Sequence, residues 1–267
     1  MGTPVLVLVV ALYASVATAY LEARRRREAP PAWARIIGPI AVVAHLVGLI
    51  ALSKSIGRSP FATSSQSLSF LSFSLVALYL VLEATSRVAT HGGGFYAAAA
   101  MLAALGVPGL IDATPATGEV VKDSVRAFHV GLSLMGTAAV VAGGLLGAGY
   151  LGQYRRVKSG ALGTAEAEGP SLRGFERLAR RASLLGVLLF GPALGLGIPL
   201  VTQDSPPAGA KILLLLTALL FALLVGAFWI WWRRPLRGRS AAWLNLGAFV
   251  LVLVALFLVH PVVSGAG

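Results

Sequence analysis

Four histidines are the residues of this 267-residue chain whose side chains are best suited to bind a metal or relay a proton. They are His45, His91, His129 and His260. The chain contains no cysteine, which excludes disulfides, thiol catalysis, zinc–thiolate sites and attachment of a prosthetic group through its own thiols. Any chemistry has to come from imidazoles, carboxylates, hydroxyls or a bound cofactor.

The composition indicates where these histidines must lie. The chain is 57% hydrophobic and only 12% charged, with a mean hydropathy of +0.82, whereas an ordinary soluble domain has about 25% charged residues. No stretch between the apolar segments is long enough to form a separate aqueous core. The sequence therefore predicts a polytopic membrane protein with a single membrane domain over residues 1–267.

Eight segments reach or approach the length of about 20 apolar residues that a spanning helix needs. The predicted fold class is thus all-α, an eight-transmembrane-helix bundle. The predicted spans are 4–21, 36–53, 67–85, 94–111, 128–151, 183–201, 211–232 and 241–262.

The net charge of +12 is explained by where the Lys and Arg residues lie relative to the spans. Seventeen of the 22 basic residues fall in four alternate connections, as expected when these connections are cytoplasmic. This distribution predicts a multi-pass protein of a bacterial-type inner or plasma membrane with both termini outside. Membrane orientation accounts for the basic balance without a nucleic-acid partner.

The longest inner connection contains an amphipathic segment at 170–182. Leu172, Phe175, Leu178 and Ala182 fall at helical spacing, with arginines on the other side. This pattern predicts a short helix on the inner membrane surface that leads into the sixth span. A docking site for a cytoplasmic partner is the alternative interpretation.

The predicted topology separates the histidines. His45 lies in the middle of the second span, about 13 Å from either end, where an imidazole needs a partner. It is either a functional group or a neutral ring hydrogen-bonded to a hydroxyl or carbonyl. His129 begins the fifth span and His260 ends the eighth, both at the outer side, so that two imidazoles could ligate one iron as a six-coordinate haem requires. His91 is expected in an inner loop.

Two further patterns have a structural and a functional interpretation. Glycines recur along the fifth and sixth spans, where they favour either close helix packing or room for a flat cofactor. Glu83 near the inner end of the third span either has a structural role, such as pairing with Arg87, or transfers protons. The same span contains hydroxyls suited to hydrogen bonds across helices, at Ser67, Ser69, Ser72 and Ser74.

The segment FHVGLSLMGTAAVVAGGLLGAGYL at 128–151 resembles the histidine-led helix of the cytochrome c assembly family, which comprises CcsA-type haem-handling proteins and smaller HemX-like relatives. Segments 64–83, 170–198 and 237–260 are similar to the corresponding parts of that family. The resemblance implies an eight-helix bundle that binds haem b non-covalently through histidines. It places His129 and His260 at the outer haem positions and His45 at the intramembrane position. Lys122, Arg126 and Lys211 are outer cations that could meet the haem propionates.

Two departures from the family favour the HemX-like branch. The tryptophan-rich WGxxWxWD segment is replaced by VTQDSPPAGAK at 201–211, and the seventh span has no histidine. The resemblance then implies haem binding, passage or regulation in cytochrome c-type biogenesis, rather than an enzyme. The implied partners are membrane lipid, haem, other assembly proteins or apocytochrome c, and a haem-biosynthesis enzyme at the inner loop. The alternatives are a membrane regulator or scaffold of haem biosynthesis and a small-solute transporter subunit.

Overall fold

The computed structural model of this chain describes residues 2–26, 28–57, 63–85, 92–111, 124–160, 171–202, 215–225 and 238–264. These residues form eight helices and no strand, which confirms the prediction of an all-α chain. The helices are α1 (Gly2–Arg26), α2 (Ala32–Ile56), α3 (Ser64–Thr85), α4 (Gly92–Ile111), α5 (Ser124–Lys158), α6 (Leu172–Thr202), α7 (Leu215–Val225) and α8 (Gly238–Ser264).

Six of these helices, α1 to α6, are long and apolar enough to cross a bilayer. They indicate a multi-pass membrane protein, as the composition predicts. The helix α7 and the apolar portion Gly238–Val254 of α8 are shorter within the described residues. The predicted seventh span, 211–232, extends beyond the described part of α7 on both sides.

The helix ends carry recognisable capping residues. At the start of α3, the Gln66 backbone N–H donates to Thr63 Oγ1 at 3.2 Å, and the Thr63 backbone N–H donates to Gln66 Oε1 at 3.1 Å, the reciprocal pair of a capping box. The end of α2 is closed by Gly57 at φ 66°, a left-handed conformation that glycine adopts without strain. At the start of α6, Ser171 Oγ accepts from the Gly174 N–H. These caps fix where three of the helices begin or end.

The chain divides into two compact units, the first containing α1 to α4 and the second α5 to α8. In the first unit, α1 packs against α2 and α4, and α3 packs against α4. One end of its core is aliphatic and contains Leu6, Leu49, Leu52, Ile56 and Leu110, with Phe70 and Phe73 packed beside them. The rest of that core combines small and aliphatic side chains with four buried tyrosines, Tyr13, Tyr20, Tyr79 and Tyr96.

In the second unit, α5 packs closely against α6 and α8. The glycines of α5 make this possible. A Cβ on Gly149 would lie 2.6 Å from the Phe175 ring, and a Cβ on Gly136 would lie 3.0 Å from the Phe190 ring. Since phenylalanine side chains already occupy the space beside these two glycines, the close-packing interpretation is confirmed there.

The amphipathic segment 170–182 differs from its predicted form. It belongs to the single helix α6, which runs from Leu172 to Thr202 without a break. Phe175, Leu178 and Ala182 are buried, and Phe175 contacts α5 at Gly149. The apolar side of the segment is therefore used in packing within the second unit instead of lying on the membrane.

Candidate functional site

His45 is fully buried at the centre of the first unit, with 0% of its surface exposed. Its Nδ1 lies 3.1 Å from the Tyr13 hydroxyl on α1, and its Nε2 lies 2.9 Å from Ser69 Oγ on α3. Because a neutral imidazole donates from one nitrogen and accepts at the other, one of the hydroxyls accepts and the other donates. His45 thus forms a hydrogen-bonded link between α1, α2 and α3.

A cluster of tyrosines extends this link along the core of the first unit. The Tyr96 ring lies 5.8 Å from Tyr13, 5.8 Å from Tyr20 and 5.6 Å from Tyr79, measured between ring centroids. The Tyr20 hydroxyl donates to Glu83 Oε1 at 3.2 Å. Glu83 therefore has a partner on another helix, while Arg87 lies outside the described residues.

Two glycines make room for the tyrosines. Gly38 on α2 faces the Tyr96 hydroxyl, and Gly92 at the start of α4 faces Tyr20 and Tyr79. A Cβ on Gly92 would lie 2.5 Å from the Tyr79 hydroxyl oxygen and 2.7 Å from the Tyr20 ring. Any larger residue at either position would displace the rings, so the glycines are part of the site.

The serines of α3 divide between two situations. Ser69 bonds to His45, and Ser72 Oγ donates to the Ala99 carbonyl on α4 at 2.7 Å, so both link helices as predicted. Ser74 Oγ is buried and has no hydrogen-bond partner among the described residues, and the same holds for Gln66 Nε2. Buried polar atoms of this kind are commonly satisfied by internal water.

This geometry bears on iron binding at His45. Both ring nitrogens are engaged by hydroxyls, so that an iron atom would have to displace Tyr13 or Ser69. Within the described part of the chain, no group of three or more His, Asp or Glu side chains could hold a metal ion. The described contacts thus support a hydrogen-bonding role for His45 more directly than a ligand role.

His129 has a different environment, on α5 in the second unit. Its Nδ1 lies 2.7 Å from the Ala193 carbonyl oxygen on α6. A carbonyl can only accept, so Nδ1 carries the proton and donates it. The lone pair of the neutral ring then lies on Nε2, the atom that a metal would bind, and a backbone carbonyl at Nδ1 is a common orienting partner of a ligating histidine.

The imidazole of His129 lies against α6 at a glycine. A Cβ on Gly197 would lie 2.6 Å from His129 Cε1 and 3.4 Å from Nε2. Gly197 therefore leaves the space that the ring occupies. Together, Ala193 and Gly197 fix both the tautomer and the position of the ring.

The contacts of α5 with α8 show that the two helices run antiparallel. Gly147 faces Ala242 and Asn245, whereas Gly144, earlier in α5, faces Phe249, later in α8. Asn245 Oδ1 also accepts a hydrogen bond of 2.6 Å from Ser183 Oγ on α6. The end of α5 that bears His129 therefore lies at the same end of the unit as the C-terminal part of α8.

His260 belongs to that part of α8, although its side chain lies outside the described residues. It is 11 positions beyond Phe249, or about 16 Å along the helix, while His129 is 15 positions before Gly144, or about 22 Å. Because Gly144 and Phe249 are in contact, the two histidines lie at depths that differ by about one helical turn.

The predicted partners of the haem propionates fall outside the description of the side chains. Lys122 and Lys211 lie outside the described residues, as does the loop histidine His91, and Arg126 is on α5 with its side chain outside them. The proximity of Lys122, Arg126 and Lys211 to haem propionates stays a prediction.

Sequence reasoning missed the tyrosines. Tyr13 and Tyr20 are seven residues apart in an otherwise apolar helix, a spacing that puts both on one face. A phenol inside a span needs a hydrogen-bond partner, and that need was a readable signal of a polar interior. Asn245, in the eighth span, carried the same signal.

Comparison with family models, with curated proteins and with solved structures finds no match for this chain.

Proposed function

We propose that this chain is a haem-binding integral membrane protein, with eight spans and both termini outside, that handles haem during cytochrome c assembly. His129 and His260 supply the two axial ligands near the outer side of the second unit. The alternating excess of Lys and Arg supports this orientation. The protein makes and breaks no covalent bond in this role, and it binds, positions or passes the cofactor.

The observation that carries the proposal is the hydrogen bond from His129 Nδ1 to the Ala193 carbonyl. In the neutral ring it leaves the lone pair on Nε2, and it holds the ring in one orientation before any metal arrives. The antiparallel contact of α5 with α8 supports His260 as the second ligand, since it brings both histidines to similar depth. Bound haem would supply a visible chromophore and an iron that exchanges electrons.

Lys122, Arg126 and Lys211 are the proposed partners of the haem propionates. All three lie in or beside predicted outer connections, where a carboxylate edge of a haem between α5 and α8 would emerge. Guanidinium and ammonium groups form charge-assisted hydrogen bonds with carboxylates. His45 is left out of the axial pair, because Tyr13 and Ser69 already occupy its nitrogens.

The test is the visible spectrum of the purified chain in detergent after haem supply. We expect a Soret band that is weakened in His129→Ala and in His260→Ala and lost when both are replaced. His91→Ala is the matched control and should keep the band. A colourless wild-type protein, or a band unchanged in the double variant, contradicts the proposal.

A second candidate function, a scaffold for a soluble haem-biosynthesis enzyme, is favoured by the charge at one end of the second unit. There the exposed residues at the end of α5 and the start of α6 include seven cations, Arg155, Arg156, Lys158, Arg173, Arg177, Arg180 and Arg181. Glu176 is the acidic residue of these two described segments. An acidic protein surface would complement this charge.

Deletion of 159–169 tests this second function, because it shortens the connection between α5 and α6 and leaves His129 and His260 in place. We expect that the variant no longer captures a purified haem-biosynthesis enzyme, while its Soret band is unchanged. Unchanged capture would exclude residues 159–169 from partner binding.

A further inference from the structure

The core of the first unit contains a file of buried and half-buried polar side chains that the haem proposal does not use, some hydrogen-bonded to one another and some only in ring contact. Its ends are marked on α3 by Gln66 and Glu83, near the first and last turns of that helix. They are 17 positions apart, or about 25 Å along the helix axis, against a hydrocarbon thickness of about 30 Å. The polar file therefore extends along most of a membrane-spanning helix.

The centre of the file is an imidazole bonded to hydroxyls on both sides. Tyr13 lies at Nδ1 of His45 and Ser69 at Nε2. An imidazole can take up a proton at one nitrogen and release one from the other, and each hydroxyl can both donate and accept. Such an arrangement can pass a proton without moving any backbone.

The tyrosines connect this centre to the carboxylate. Tyr96 contacts the rings of Tyr13, Tyr20 and Tyr79, and Tyr20 is hydrogen-bonded to Glu83. Tyr13, Tyr20, Tyr79 and Tyr96 each end in a hydroxyl. The described contacts of Tyr96 with the other three tyrosines are ring contacts, so proton transfer past Tyr96 requires intervening water or a change of hydroxyl partner. Among the described residues, Arg35 on α2 is a charged group near Glu83.

At the opposite end of the file lies a hydrogen-bond donor without a described partner, the side-chain amide of Gln66. Gln66 is 1% exposed, and its Nε2 has no hydrogen-bond partner among the described residues, although its Oε1 closes the capping box. A buried amide donor of this kind is an expected position for a water molecule. Gln66 is three residues from Ser69, so it lies on the same side of α3.

We propose that the first unit conducts protons along this file, between Glu83 at one end and water at Gln66 at the other. In transport from the Glu83 end, the carboxylate takes a proton and passes it to the tyrosine hydroxyls. Tyr13 gives a proton to His45 Nδ1, and His45 Nε2 releases one to Ser69 and on to water. One proton enters and one leaves, and the path is reset when the ring and its hydroxyl partners reorient so that an unprotonated nitrogen again faces Tyr13. Ionisable and hydroxyl side chains inside spans commonly serve as proton relays.

The experiment uses the full chain in phosphatidylcholine vesicles that enclose a pH-sensitive dye. A potassium gradient and valinomycin impose a membrane potential, and the internal pH is followed. Wild-type vesicles should acidify faster than protein-free vesicles. His45→Gln should bring the rate to the protein-free level, because an amide can bond to Tyr13 and Ser69 but cannot bind a second proton.

The matched control is His129→Gln in the second unit, which should keep the wild-type proton flux and weaken the Soret band. His45→Gln should do the reverse, so the haem and proton proposals fail independently. Should His45→Gln not fold, as judged by gel filtration and thermal unfolding in detergent, Tyr13→Phe interrupts the file by removing one hydroxyl oxygen. A wild-type rate equal to that of empty vesicles, or full flux in a folded His45→Gln or Tyr13→Phe variant, would overturn the proposal and leave a structural polar core.

Discussion

The two units of the molecule each place a histidine in an apolar helical bundle, and they differ in how many ring nitrogens are left unpaired. In the first unit, hydroxyls engage both nitrogens of His45. In the second, the Ala193 carbonyl engages one nitrogen of His129, and no described residue hydrogen-bonds the other. A histidine in a span therefore marks a polar interior, whereas the number of unpaired ring nitrogens distinguishes a candidate ligand from a linking group.

The units also differ in how their helices approach one another. In the first unit, four tyrosine rings lie in the core and hydrogen bonds link the helices through His45, and glycine allows one close approach, of Gly106 on α4 to the Ser65 carbonyl on α3. In the second unit, α5 approaches α6 and α8 along a run of glycines. We expect the first unit to be sensitive to the loss of polar partners and the second to added volume. The predictions below test this difference in order of decreasing effect on stability.

The largest effect is expected from added volume in the second unit. A Cβ on Gly147 would lie 2.9 Å from the Ala242 carbonyl oxygen, a backbone atom that cannot turn aside. Gly147→Leu should therefore lower the free energy of unfolding in detergent by about 3 kcal/mol or more. Gly247→Leu is the control, since no atom lies within 4 Å of its Cβ position. Equal losses in both variants would show that close packing of α5 on α8 is not the cause.

The next prediction compares how much His45 and His129 contribute to the free energy of unfolding. His45→Leu leaves the Tyr13 and Ser69 hydroxyls buried without their partner, which should cost about 2 kcal/mol. His129→Leu removes one hydrogen bond at a half-buried position and should cost about 1 kcal/mol. Denaturant unfolding of both variants measures the difference. A larger loss at His129 would reverse the comparison between the units.

The sequence allowed the prediction of the helices and of a buried partner for His45. Apolar length alone identifies the six spans α1 to α6, and the energetic cost of a polar group in a bilayer requires that His45 be paired. Neither argument depends on which helices are neighbours. For this reason both could be made before any tertiary contact was known.

The particular partners could not be predicted, because they depend on helix rotation and pairing. Nothing in the sequence distinguishes Ser69 from Ser67 as the partner of His45, although only Ser69 is bonded to it in the described contacts. The carbonyl of Ala193 gives no sequence signal, since every residue has a carbonyl. The separate surface helix at 170–182 was predicted because an amphipathic pattern fits packing on lipid and packing on α5 equally well.

A smaller effect is expected from the polar pair of the second unit. Ser183 donates to Asn245 at 2.6 Å, and both residues are buried. A double-mutant cycle with Ser183→Ala and Asn245→Ala should give a coupling free energy of about 1 kcal/mol. Ser74→Ala is the control, since that hydroxyl has no described partner and its removal should be close to neutral. A coupling free energy near zero would mean that the pair is not formed in detergent.

The smallest effect on stability is expected at Gly197. A substitution there should move the His129 ring without unfolding the protein. A Cβ there would lie 2.6 Å from His129 Cε1, the edge of a half-buried ring that can shift. Gly197→Ala should therefore change the free energy of unfolding by less than about 1 kcal/mol, while it displaces the ring from the Ala193 carbonyl. If His129 ligates haem, the Soret band should weaken in Gly197→Ala and persist in Gly195→Ala, whose Cβ position has no atom within 4 Å. An unchanged band in a folded Gly197→Ala variant would mean that haem binding does not depend on the position of the His129 ring that α6 imposes.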